Sequence, residues 1–102
     1  MWNPPTEKQL AKLPKLYSTE DVALKDKKIL MHFFIGACDW YAAEYSDGMF
    51  FGYSNMGDDQ CAEWGNFSLA ELKAVKIGYV EVDRDLFWKP IKASEVKRIT
   101  NL

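Results

Sequence analysis

The sequence is short of the residues that make most small sites easy to recognise. It has one histidine, two cysteines and six glycines in 102 residues. Two cysteines are too few for the disulfide framework of a small secreted scaffold, and the glycines form neither a phosphate-cradling loop nor a nucleophile elbow. No run of about 18 apolar residues exists, so the sequence predicts no membrane-spanning helix. The opening Met1-Trp2-Asn3-Pro4-Pro5 lacks the basic-then-apolar layout of a secretory leader, and the expected location is the cytoplasm. An excess of one charge is also missing. Thirteen Lys and Arg residues stand against fifteen Asp and Glu, for a formal net charge of −2, which supplies no large field for phosphate backbones or anionic membranes. The stretch from Phe33 to Phe67 contains no lysine or arginine.

What that stretch does contain is aromatic. Aromatic residues make up 15% of the chain, and ten of them fall between Phe33 and Phe67. With 48% of residues apolar and 27% charged, the chain has the composition of a folded globular domain. Its length fits one core, and a single domain is expected over residues 1–102, with 1–5 loose.

Thr6 and Gln9 have the spacing of a capping box and predict a short helix over Glu7–Lys12, ended by Pro14. The run from Lys28 to Ile35 is apolar at both alternating sets of positions, as expected of a central strand covered on two sides. Asp39–Tyr45 and Met49–Ser54 read as a hairpin turning at Ser46-Asp47-Gly48. Asn55–Gln60 reads as a loop, and Ala62–Phe67 as a further strand. Ser68 and Glu71 form a second capping box, opening a helix through Val75 with Gly78 as its stop. Tyr79–Val82 reads as a last strand, and Ser94 as the cap of a closing helix that turns Val96 and Ile99 inward. The fold class is α+β, a mostly antiparallel sheet of about four to five strands with two or three short helices.

Several strings recur together in order: Leu13-Pro14-Lys15-Leu16-Tyr17-Ser18-Thr19-Glu20, Phe33-Phe34, Trp40-Tyr41 with Glu44, Phe51-Gly52-Tyr53, Glu63-Trp64-Gly65-Asn66-Phe67-Ser68-Leu69-Ala70-Glu71-Leu72, and Asp83-Arg84-Asp85-Leu86. In these the chain resembles the family catalogued as domain of unknown function 2958, found in bacteria, phages and other mobile elements. It departs from that pattern at Asn66, where an aromatic is expected. The resemblance brings no catalytic residues. It implies a compact accessory protein of phage or mobile-element ancestry, working in a bacterial cytoplasm.

The soft-metal ligands are His32, Cys38 and Cys61. A tetrahedral zinc site would need Asp39 or Glu63 as a fourth ligand, at a spacing that matches no finger or ribbon. The same three residues would serve as a cysteine nucleophile with a histidine base only if the fold brings them together. Glu71-x-Lys73 and Glu95-x-Lys97 are similar to nuclease carboxylate–lysine pairs but lie on predicted helices, where a solvated face explains them better. Strand alternation puts Asp83 and Asp85 on one face, with Arg84 opposite. No catalytic residue, metal site or cofactor is assigned, and the expectation is a non-enzymatic protein. The remaining feature is a surface that is aromatic and acidic at once. Trp40, Tyr41, Glu44, Tyr45, Tyr53, Asp58, Asp59, Glu63 and Trp64 are expected to form a face for a basic protein partner, the other reading being that the aromatics simply pack the core. A sharper expectation is an inhibitor of a host defence nuclease. Single-stranded nucleic acid is disfavoured, because stacking platforms interleave their aromatics with basic residues.

Overall fold

A computed structural model describes residues 1–100 and 102. The capping box forms as the spacing predicts: the Gln9 amide donates to the Thr6 hydroxyl at 3.2 Å and the Thr6 amide to the Gln9 side chain at 2.9 Å. It opens α1, a single turn over Glu7–Leu10. The apolar run splits at Leu30 into β1 (Lys28–Ile29) and β2 (Met31–Ile35). There follow β3 (Cys38–Ser46), β4 (Met49–Met56), β5 (Glu63–Ser68) and α2 (Leu69–Ala74), the helix capped by Ser68, whose hydroxyl accepts from the Glu71 amide. Four two-residue strands complete the chain: β6 (Lys76–Ile77), β7 (Val80–Glu81), β8 (Asp83–Arg84) and β9 (Ile91–Lys92).

The main sheet has five antiparallel strands in the order β5-β4-β3-β2-β8. The β3–β4 hairpin turns on two residues with positive φ, Asp47 at 46° and Gly48 at 87°, which suits the twist of paired strands. One break interrupts the register. Ala42 faces Gly52 and Glu44 faces Phe51, so Ala43 is an unpaired bulge. A Cβ on Gly52 would lie 1.9 Å from the Tyr41 carbonyl oxygen, and glycine alone lets the bulged backbone come this close.

Each face of the sheet carries a core. On one, Met31, Phe33, Ile35, Trp40, Phe50 and Phe67 are buried under Leu10, Leu13, Leu72 and Val82. A side chain of this size contributes roughly 1.5–3 kcal/mol when fully buried. On the other, Tyr41, Ala43 and Tyr53 pack against Ile29, Ala93, Val96 and Ile99.

Three expectations need correction. The closing helix is one 3-10 turn, Ala93–Glu95, with no side-chain cap, although Val96 and Ile99 are buried as expected. Gly78 does not stop α2, which ends at Ala74; it turns a small β6–β7 ribbon instead. Residues 1–5 are tied down rather than loose: the Trp2 amide donates to the Val82 carbonyl at 2.8 Å, the Met1 amine reaches Glu81 at 2.6 Å, and Pro5 is buried. No helix among the described residues is long and apolar enough to cross a membrane.

Candidate functional site

The run Lys28–Ile35 was expected to be covered on both sides, and β2 is covered on only one. Met31, Phe33 and Ile35 are buried, while His32 and Phe34 on the opposite face are half-buried. The opening over these two side chains is a cleft of about 470 Å³, lined also by Asp39, Asp83, Asp85 and Phe87.

Register explains who meets whom. Asp83, Phe34, Asp39 and Asn55 lie abreast across β8, β2, β3 and β4. His32, Tyr41, Tyr53 and Trp64 form the neighbouring row across β2, β3, β4 and β5. The His32 ring stacks on Tyr41, with centroids 4.7 Å apart, and packs against Trp88 at 5.1 Å. Its Nε2 lies 2.6 Å from Asp39 Oδ1 and its Nδ1 3.3 Å from Asp85 Oδ2. Both ring nitrogens therefore face carboxylates.

Arg98 closes the cluster from behind. It pairs with Asp39 Oδ2, donates to the Ala37 carbonyl at 2.6 Å, and reaches Asn55 Oδ1 at 3.2 Å and Asp59 at 3.4 Å. Burial alone would raise the Asp39 carboxyl, but hydrogen bonds and charge from His32 and Arg98 outweigh it and hold that group below its usual range. Burial pushes the Tyr41 phenol up to about 12, and the Asp39 charge adds to this. Asn55, fully buried, accepts from the Gly57 amide and donates to Asp59, fixing the start of the Asn55–Gln60 loop.

A second polar centre lies further along β3, on the same face because the bulge turns Glu44 there. Glu44 is 2% exposed and Lys27 7%, and their charges are 3.6 Å apart. Glu44 also accepts from the Tyr17 and Thr19 amides and the Thr19 hydroxyl, while Lys27 donates to Thr19. This pair binds the Leu13–Glu20 string to the sheet and leaves no acceptor idle.

The expected partner face does not exist as one surface. Trp40, Tyr41, Glu44 and Tyr53 are buried. Trp40 belongs to the core on the helix side together with the half-buried Tyr45, whereas Tyr41 and Tyr53 lie on the other side. Trp64 is half-buried, edge-on to Tyr53 and stacked near Phe51. Only Asp58, Asp59 and Glu63 are exposed as expected. The alternation of the pleat is the cause: neighbours along an aromatic run go to opposite sides of the sheet.

The candidate metal residues are also dispersed. Cys38, abreast of Ile35, packs into the helix-side core, across the sheet from His32. Cys61 sits on the surface, its thiol 3.4 Å from Asp58, which raises its pKa. Among the described residues no group of three such side chains is placed to hold a metal ion. Asp83 and Asp85 do share one face, as alternation predicts. Phe34, Phe87 and Arg98 join them without having been singled out, since nothing local in the sequence connects Arg98 to Asp39, 59 residues away.

The family model described as "Protein of unknown function (DUF2958)" matches residues 6–96. The chain belongs to this family. No curated protein matches this DUF2958 member. No solved structure matches it either.

Proposed function

We propose that this DUF2958 member is a non-enzymatic interaction protein that docks a partner protein at the His32–Asp85 cleft. The observation that carries the reading is the rim: Leu86 is 54% exposed and Phe87 92%, immediately after the carboxylates of Asp83 and Asp85. Large apolar side chains grouped at an open cleft mark a contact surface rather than ordinary scatter. Other exposed apolar residues stand nearby. Trp2 bridges to Asp83, and Ile77 lies next to Gly36, a residue of the cleft wall.

This keeps the aromatic and acidic character inferred from the sequence and moves it from the central strands to the β8 edge. The ancestry implied by the resemblance makes bacterial host proteins, defence nucleases included, the first partners to try. The test is affinity capture from a nuclease-treated bacterial lysate with three baits: the natural chain, Phe87→Ala, and a triple charge variant at Asp58, Asp59 and Glu63. A stoichiometric protein held by the first and third baits and lost by the second supports the reading. Retention by Phe87→Ala, or loss only in the triple variant, sinks it.

A further inference from the structure

The cleft has a chemistry that selects among partners. Phe34 sits at its floor with Asp83 abreast on one side and Asp39 on the other. The carboxylates are not equally provided with cations. Asp39 has Arg98 and His32. Asp83 has neutral donors only, the Asn3 side-chain amide at 3.1 Å and the Arg84 backbone amide at 2.8 Å, and no cation pairs with it among the described residues. Asp85 accepts from the Phe87 amide at 3.0 Å and meets His32 at the longer 3.3 Å. Arg84, the basic residue of the lining, has its Nε engaged by the Asn3 carbonyl at 2.9 Å.

We infer that the cleft seats an arginine side chain of the partner protein, its guanidinium over the Phe34 ring and between the Asp83 and Asp85 carboxylates. This rests on the docking reading above. A planar guanidinium stacks on an aromatic face while forking to carboxylates, which a point-like ammonium does less well. Its aliphatic stem and flanking residues cover Leu86 and Phe87. Phosphate-bearing ligands meet the wrong sign of charge here.

The probe is N-acetyl-L-arginine amide, titrated into isotopically labelled protein and followed by NMR. Its uncharged isostere N-acetyl-L-citrulline amide is the control, and Asp83→Asn is the variant, which keeps the acceptor oxygen used by Asn3 and Arg84. Expected are saturable shifts confined to His32–Gly36 and Asp83–Phe87 for the arginine probe, absent with citrulline, and about fivefold weaker binding in the variant, the size of one exposed ion pair. The inference is overturned by shifts that centre on Asp58–Glu63, by equal response to the two probes, or by no saturable response. If the cleft ignores arginine while Phe87→Ala still releases a captured protein, the docking reading survives and only the choice of guest is wrong.

Discussion

Two ion-pair centres share one face of the sheet, and they are built to opposite ends. Glu44 and Lys27 are sealed, and their remaining hydrogen-bonding capacity is spent on the backbone and hydroxyl of the loop that covers them. His32, Asp39 and Asp85 are only part-covered, and the loop beside them turns Leu86 and Phe87 to solvent instead of inward. A charge pair that closes over itself fastens the chain. One left open at a rim of apolar side chains keeps surface for another molecule.

Substitutions should separate the two. The largest effect is expected from Glu44→Ala, which strands the buried Lys27 ammonium and the Tyr17 and Thr19 amides, and should cost about 3–5 kcal/mol in urea unfolding. A loss below about 1 kcal/mol would show that this centre is not sealed. Next is Arg98→Ala, which frees contacts to Ala37, Asp39, Asn55 and Asp59 and should cost about 1–3 kcal/mol.

Asp39 adds a pH signature. Its pKa is lowered in the fold, so the stability it contributes is fully present above the usual carboxylate value and is lost as pH falls toward the folded value. Asp39→Asn should flatten the fall in stability below about pH 4; an unchanged acid profile would deny the ion pair its role.

Tyr53→Phe should be neutral or stabilise by up to about 1 kcal/mol, because the Tyr53 hydroxyl is buried with no partner among the described residues. Clear destabilisation would reveal a bond to that oxygen. The smallest change is expected from Phe87→Ala, within about 0.5 kcal/mol in thermal or urea unfolding, as for other exposed positions. A large loss there would make the rim part of the core.

The frame was legible where the signal is local. The Thr6–Gln9 capping box, the Ser68 cap of α2, the Asp47-Gly48 hairpin and the common side of Asp83 and Asp85 follow from spacing alone. The break at Leu30 was not, because an apolar run reads the same whether both sides are covered or one stays open. Ser94 looked like a cap, yet it falls inside a 3-10 turn that follows β9 directly. The supposed aromatic platform failed on alternation, compounded by Ala43, which moves Glu44 to the face of Tyr41 and Tyr45 to that of Trp40. Arg98 was hidden for a different reason: its partners are gathered from two distant segments, Ala37–Asp39 and Asn55–Asp59, by the fold itself.

Ala43 also determines where the chain tolerates a change in length. Removing that one residue would leave Ala42 and Glu44 adjacent opposite Gly52 and Phe51, a regular ladder in which Glu44 and Tyr45 keep the faces they already occupy. One residue fewer in the stretch from Met56 to Gln60 would shorten an exposed connection but disturb the bonds of Asn55 and Arg98 to Gly57 and Asp59. Among single-residue deletions in β3, loss of Ala43 should therefore be the best tolerated.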